Sequence, residues 1–242
     1  MSDQQVRIDA ALSQHPFWAV FWTVVAPKLY PLVALILLSA ASPSLAETIS
    51  SGENPRIFWT FSLVLYAAWL IHLMVWSEHV SGQPFAGRIR LDSVYLAVAL
   101  FAAPFVSPLV RAVLGQFGFD TIEDFVVDPE LLTRGFAPDA VGVMMIAAII
   151  FVGPLVEEIV YRGVGMGCLI GRGAPTFVAA VAMAAIFALQ HTHLTWAGMT
   201  PIFVFGLFLG WLRAASGGIA APILAHMVAN AAAMAPVLFG PG

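Results

Sequence analysis

Residues 140–163 read AVGVMMIAAIIFVGPLVEEIVYRG, and this stretch decides the fold. It is apolar from Ala140 through Val156 and then reaches two carboxylates, Glu157 and Glu158, and a cation, Arg162. An apolar run of about 17–25 residues is long enough to cross the hydrocarbon core of a bilayer. Because lipid offers no partners to backbone amides, such a run is predicted to be helical.

The composition of the whole chain agrees with a membrane environment. Of its 242 residues, 60% are hydrophobic and 10% are charged, whereas soluble domains carry roughly 25% charged residues. The net charge of −4, with no Lys/Arg cluster, gives no reason to expect a nucleic-acid partner. The single cysteine, Cys168, cannot form an intramolecular disulfide or a cysteine-pair metal site, and we expect it to pack as a small apolar residue.

Apolar segments recur along the chain and predict an all-α bundle of about seven or eight transmembrane helices. They span about residues 17–40, 57–76, 94–114, 140–156, 174–190, 201–212 and 219–238. An acidic polar stretch, residues 115–139, precedes the fourth segment and is interpreted as a lid, a partner surface or an ordinary loop. It ends the first part of a single membrane domain, the N-terminal helices and polar loop of residues 1–139, and the second part is a core of residues 140–242.

The N-terminus is a poor signal-peptide start, because MSDQQVRIDAALSQHP carries two acids beside one Arg. Small residues at 44–46 resemble a cleavage site, but the apolar stretch before them is long and is interrupted by Pro27, Lys28 and Pro31. It is therefore interpreted as an uncleaved membrane segment. Cationic residues favour one side of the membrane by six to three, which predicts a cytoplasmic N-terminus. Because the composition looks bacterial, a bacterial inner (cytoplasmic) membrane is the expected location. The cytoplasmic set is Arg7, Arg88, Arg90, Arg162, Arg172 and Arg213.

Ionisable side chains within a membrane helix are costly, so each is a candidate for function. Glu158 and Arg162 lie one helical turn apart and are predicted to pair. Glu157 is rotated about 100° from Glu158 and points elsewhere. A carboxylate among apolar neighbours is suited to take a proton from water and later to return it. The plainer alternative is that both glutamates form an interfacial helix cap and a structural salt bridge.

Two later segments carry further polar pairs at helical spacing. Phe187 and His191 share a face at i, i+4, and so do His226 and Asn230. Two donors such as His226 and Asn230, aimed at one point, could stabilise an oxyanion. Each residue alone also fits a hydrogen-bonded packing role, which is the role assigned to His72; His193 is placed in a loop.

The combination is more specific than its members. An EExxxR helix, then FxxxH, then HxxxN, in that order on separate helices, resembles the CPBP family, the CAAX-protease and bacteriocin-processing (Abi) intramembrane proteases. The stretches 205–213 and 218–226 also look like the part of that family before its last motif. The resemblance covers about residues 140–235, and the first 139 residues match no family that we can name.

The resemblance implies a metal-free mechanism in which Glu157 and His191 activate water while His226 and Asn230 form an oxyanion hole. Its supporting residues are Glu158, Tyr161, Arg162 and Phe187. The implied substrate is a CAAX-like or other membrane-associated peptide or protein, reached within the lipid bilayer. For Glu157 to meet His191, the fourth segment must continue as a helix past Gly163 towards Cys168, which would place Glu157 at mid-depth.

Other functions stay open on sequence grounds. Glu157, His191 and His226 are a two-histidine, one-carboxylate set that could hold zinc, although no HExxH helix is present. A non-enzymatic scaffold, binding or bacteriocin-immunity protein would use the same cavity and would tolerate Glu157→Gln. A transporter normally shows inverted repeats, and none is found. Serine and aspartyl proteolysis lack their residues, since there is no GxSxG and no Asp in segments four to seven.

Overall fold

The computed structural model describes residues 3–16, 30, 33–51, 54–83, 85–119, 140–191 and 194–239. These residues form helices and contain no strand, which confirms the predicted all-α class. Two predictions lie largely outside the described residues: the first part of the 17–40 segment and the acidic stretch from residue 120 to residue 139. The loop position predicted for His193 also lies outside them.

The first described helices follow standard helix signals. They are α1 (Asp3–Ser13), α2 (Pro43–Ser51) and α3 (Pro55–Ser81), and residues 33–41 are helical as well. The side chain of Asn54 caps α3 by accepting from the Ile57 amide, and Pro55 occupies its first turn, where no donor is needed. Gly82 ends α3 in the left-handed region, with its amide donating to the Glu78 carbonyl.

The third predicted segment, residues 94–114, is helical but consists of two helices rather than one. The structure divides it into α4 (Ser93–Phe101) and α5 (Ala103–Gln116), bent by 41° at Ala102. Pro104 lies in the first turn of α5, and its missing amide hydrogen cannot continue the hydrogen bonds of α4. The bend is therefore a local consequence of the proline.

The decisive stretch forms one long helical run, α6, with two wider π-helical parts. Its consecutive stretches are Ala140–Ile146, the π-helical Ala147–Val152, Gly153–Glu158, the π-helical Ile159–Gly165, and Met166–Gly171. The expectation that the helix continues past Gly163 is therefore confirmed, since it ends only at Gly171. π-Helical turns are frequent at functional sites, and here the second one begins directly after Glu158.

Three helices complete the fold: α7 (Thr176–Leu189), α8 (Trp196–Ser216) and α9 (Ala220–Phe239). Gly206 and Gly210 let α8 approach α7 closely, because a Cβ on either glycine would lie about 3 Å from Ala184 or Ala180. One apolar cluster joins α3, α6 and α7, and a second joins α4, α5, α8 and α9. Helix α1 packs on the last stretch of α6.

Fewer of the described helices are long enough to span a membrane than the seven or eight predicted for the chain. Among the described residues, α3, α6 and α8 are long and apolar enough to cross a membrane, and the bent pair α4–α5 would be a fourth. Helix α7 is apolar but has only 14 residues. The sequence estimate of about seven or eight counted apolar runs as spans, although a run packed inside a bundle can be shorter than the bilayer is thick.

Candidate active site

A buried ion pair lies at the centre of the site. Glu158 Oε1 is 2.9 Å from Arg162 Nη1, and both side chains are fully buried. Arg162 Nη2 also donates to the Gly206 carbonyl at 2.9 Å, which ties α6 to α8. Buried charges need such partners to offset the loss of hydration. The pairing predicted from the one-turn spacing is thus present.

His226 of α9 lies between the two neighbouring glutamates. Its Nδ1 is 2.9 Å from Glu158 Oε1, and its Nε2 is 3.7 Å from Glu157 Oε2. Because an ionised carboxylate only accepts hydrogen bonds, the Nδ1 nitrogen carries the proton in this contact. Glu158 therefore fixes the orientation of the imidazole and turns its second nitrogen towards Glu157.

Glu157 differs from Glu158 in accessibility. Its side chain remains 28% exposed, whereas that of Glu158 is completely buried. Glu157 also interacts electrostatically with the phenols of Tyr66 on α3 and Tyr161 on α6. The two carboxylates thus face different surroundings, as the helical rotation between them predicts, and Glu157 is the one that an incoming molecule can reach.

The ring of Phe187 packs among the polar groups. Its centroid lies 5.3 Å from those of Tyr161 and His191 and 5.7 Å from that of His226, in edge-on arrangements. The Arg162 guanidinium carbon lies 4.9 Å from the same ring, a cation–π contact. Phe187 therefore contacts Tyr161 and Arg162 of α6, His226 of α9 and His191 just after α7.

His191 follows α7 directly and is oriented by its own helix. Its Nδ1 lies 3.0 Å from the Phe187 carbonyl oxygen. Since a carbonyl can only accept, Nδ1 carries a hydrogen here and Nε2 is the basic nitrogen of the neutral ring. The structure thus brings His191 and His226 into contact with the same ring, that of Phe187.

Asn230 lies one turn beyond His226, but the hydrogen bond of its amide joins it to α6. Its Nδ2 donates to the Ile149 carbonyl at 2.9 Å. Ile149 belongs to the first π-helical part of α6, where widened turns alter the usual pairing of carbonyls. The amide group has a second hydrogen, so Asn230 can hold α6 and still donate to another group.

Sequence reasoning missed three contributors to the site. The Phe205 ring lies edge-on to His226 at 5.5 Å, and the carbonyls of Gly206 and Ile149 accept from Arg162 and Asn230. Backbone carbonyls carry no residue signature, so only the structure reveals them. Gly206 could have been suspected, since Gly206 and Gly210 have the spacing typical of close helix packing.

The arrangement of the described residues does not support the zinc alternative. Among the residues that the structure describes, no group of three or more His, Cys, Asp or Glu side chains is arranged to hold a metal ion. Glu157, His191 and His226 are among these residues. The Nδ1 of His226 already donates to Glu158, and its Nε2 lies 3.7 Å from Glu157 Oε2.

The apolar spans and the buried charged site belong to an integral membrane protein. Residues 138–232 match the family model described as "Type II CAAX prenyl endopeptidase Rce1-like", which confirms the resemblance expected from the three motifs. The chain is also 25% identical over 182 residues to an Escherichia coli protein described as "Uncharacterized 24.3 kDa protein". That alignment covers 74% of this chain and 80% of the relative. No solved structure matches the chain.

Proposed function

We propose that this protein is an intramembrane endopeptidase that hydrolyses a peptide bond of a membrane-associated peptide or protein by activating water. The observation that carries the proposal is the difference between the surroundings of two adjacent glutamates. Glu158 is buried and holds Arg162 and His226, whereas Glu157 is accessible and lies 3.7 Å from His226. The match of residues 138–232 to the CAAX endopeptidase family supports the same reaction class.

In the proposed reaction, Glu157 removes a proton from a water molecule as that water attacks the scissile carbonyl carbon. The Nε2 of His191 accepts a second hydrogen bond from the water and orients it. The attack forms a tetrahedral intermediate, and the carbonyl oxygen takes the electron pair of the broken π bond. Protonated Glu157 then gives its proton to the leaving amine as the C–N bond breaks, so Glu157 returns to its starting state.

The oxyanion needs donors that are fixed before the reaction begins. His226 supplies one from Nε2 in its doubly protonated form, in which Nδ1–H still donates to Glu158. Asn230 supplies the second from the amide hydrogen that is not used by Ile149. Both residues come from α9, so a single rigid helix would hold the two donors in register.

The proposed substrate is a tail anchored at the membrane, CAAX-like or otherwise, since Glu157 lies within a helix that is long and apolar enough to cross a membrane. The proposed location is a bacterial inner membrane. The N-terminus is proposed to be cytoplasmic, because the four cationic residues that remain on that side once the buried Arg162 and Arg213 are set aside still outnumber the three on the other side. No metal cofactor is needed, because Glu157 supplies the base and α9 supplies the electrophilic assistance.

The test is cleavage of a quenched fluorescent CAAX-type peptide, and of a broader membrane-peptide panel, by purified protein in detergent. Wild type and Glu157→Gln are compared with and without a zinc chelator. We expect the wild type to cleave equally well with chelator, and Glu157→Gln to lose more than ~10³ in kcat, which exceeds the loss typical of one oxyanion donor. Cleavage abolished by chelator would favour the zinc enzyme. An inert wild type would favour the binding or scaffold protein. A fully active Glu157→Gln would contradict the role of Glu157 as the base.

A further inference from the structure

The N-terminal helix α1 buries one of its faces, although its sequence is largely polar. Gln5, Ile8, Asp9 and Leu12 are buried and are spaced to lie on one side of the helix. Two of the four are polar, and one of these, Asp9, is ionisable. All of them lie outside residues 138–232, which match the protease family.

Asp9 forms a second buried ion pair, distinct from the pair of Glu158 and Arg162. Asp9 Oδ1 is 2.6 Å from Arg213 Nη2, and neither side chain is more than 2% exposed. Gln5 Nε2 donates to the same Asp9 oxygen at 2.9 Å, and Gln5 Oε1 accepts from the Arg88 amide at 2.9 Å. Helix α1 is thereby bonded to α8 and to the backbone before α4.

Arg213 connects this pair to the candidate active site. Its Nε donates to the Arg162 carbonyl at 2.9 Å, and the Arg162 side chain holds Glu158, which in turn holds His226. One chain of buried polar contacts therefore runs from Asp9 through Arg213, Arg162 and Glu158 to His226. The Arg162 carbonyl belongs to the π-helical part Ile159–Gly165, where backbone pairing is irregular and an external donor can fix the geometry.

Two glycines of α6 allow α1 to pack closely against it. A Cβ on Gly167 would lie 2.7 Å from Leu12 Cδ1 and 2.8 Å from Asp9 Oδ1. A Cβ on Gly171 would overlap the carbonyl oxygen of Asp9. Both helices therefore contribute to the close approach. Helix α6 contributes glycines, and α1 contributes its buried face of apolar and polar residues.

We propose that Asp9 is a positioning residue of the active site, acting through Arg213 on the π-helical part of α6 that follows the two glutamates. The inference rests on the proposed endopeptidase function. Without the Asp9 charge, Arg213 would lose the carboxylate of its buried ion pair, which is strongly unfavourable. Arg213 would leave its place, the Arg162 carbonyl would lose its donor, and Glu157 and Glu158 would shift relative to His226. Displacements of about 1 Å can cost ~10² in rate.

The accessibility of Cys168, the only cysteine of the chain, shows whether α1 is docked and can be measured independently of activity. It is buried in one cluster with Ile8 and Leu12 of α1, Ala86 and Val164. The experiment measures the rate of maleimide labelling of Cys168 and the kcat and KM of peptide cleavage on the same purified samples. The variants are Asp9→Asn and Gly171→Ala, with Gly115→Ala as control, because a Cβ on Gly115 meets open space.

We expect Asp9→Asn to lower kcat by about tenfold to a hundredfold with KM within about twofold of wild type. Gly171→Ala should do the same and should expose Cys168 to maleimide, whereas Gly115→Ala should change neither readout. Wild-type kcat in Asp9→Asn, or in Gly171→Ala with Cys168 exposed, would overturn the inference. An inert wild type would instead overturn the proposed function, and the labelling rates would still show whether α1 docks.

A double variant separates positioning from stability. In Asp9→Asn/Arg213→Met neither buried charge remains, so the midpoint of thermal unfolding should recover relative to Asp9→Asn alone. The donor to the Arg162 carbonyl is still missing, so kcat should stay low. If kcat recovered together with the unfolding midpoint, Asp9 would have a structural role only, and the inference would be wrong.

Discussion

Helices α3 and α6 are both long and apolar enough to cross a bilayer, yet they occupy different places in the bundle. Only 6% of the most apolar 18-residue window of α3 is buried, against 50% of the corresponding window of α6. Helix α3 turns Val64, Ile71 and Val75 outward, and each remains more than half exposed. Helix α6 buries every residue from Glu158 to Cys168.

The comparison shows that apolar length does not distinguish an outer helix from a central one, whereas the position of charged residues does. A charged side chain facing lipid is costly, so a helix carrying Glu157, Glu158 and Arg162 has to face the interior of the bundle. Helix α3 has only Arg56, Glu78 and His79 near its ends and His72 on an exposed face. It therefore carries no Asp, Glu, Lys or Arg in the middle of the helix.

The comparison is tested most strongly by removing one charge from the buried pair of Glu158 and Arg162 and one charge from an exposed pair. Arg162→Met leaves the Glu158 carboxylate buried without its cation and should cost about 3–5 kcal/mol of stability. Arg90→Met removes the partner of Asp92 from a pair whose side chains are 60% and 47% exposed, and should cost about 0–1 kcal/mol. Equilibrium unfolding in detergent measures both, and equal losses would contradict the distinction between interior and surface charges.

A second contrast uses two histidines, one from each helix environment. His226→Ala removes a proposed oxyanion donor and should lower kcat by ~10²–10³. His72→Ala, on the exposed face of α3, should change kcat by less than about twofold, because surface substitutions have small effects. Peptide cleavage by the two purified variants checks this. A large loss in His72→Ala would mean that the site extends to α3 in a way that the buried network does not show.

The smallest expected effect concerns packing at the edge of the site. Gly206→Ala places a Cβ 3.0 Å from that of Ala184 and 3.3 Å from Arg162 Nη2, and overpacking of this kind costs about 1–3 kcal/mol. Gly115→Ala meets open space within α5 and should stabilise the protein by up to about 1 kcal/mol through helix propensity. Thermal unfolding should therefore shift in opposite directions, and shifts of the same sign would show that α7 and α8 are not tightly packed.

Much of the core could be predicted from sequence because its signals are local. The i, i+4 spacing of Glu158 and Arg162 predicted their pairing, and the EExxxR, FxxxH and HxxxN motifs predicted the family match at residues 138–232. The bond between His226 and Glu158 could not be predicted. It joins residues 68 positions apart, and no spacing rule applies between helices. The bend at Ala102 was missed because the proline signal was read as part of a continuous apolar run.

The N-terminal helix shows a second limit of sequence reasoning. The buried face of α1 consists of Gln5, Ile8, Asp9 and Leu12. Two of these four residues are polar, so the sequence pattern does not indicate a packed helix. The partner of Asp9, Arg213, was counted as a cytoplasmic surface charge, although the structure buries it completely. A buried ion pair between distant segments leaves no periodic pattern in either one. The spacing of Gly163, Gly167 and Gly171 was the available sign that a neighbour packs there.

The central claim is that adjacent glutamates have separate tasks, and the most direct test substitutes each of them by glutamine. Glu157→Gln and Glu158→Gln are compared for kcat and for the midpoint of thermal unfolding in the same detergent. The account predicts that Glu157→Gln abolishes cleavage with its midpoint unchanged, because Glu157 is accessible and is not part of the buried ion pair. It predicts that Glu158→Gln lowers both, because Arg162 loses its buried counter-ion. Wild-type cleavage by Glu157→Gln, or equal losses of stability in the two variants, would contradict it.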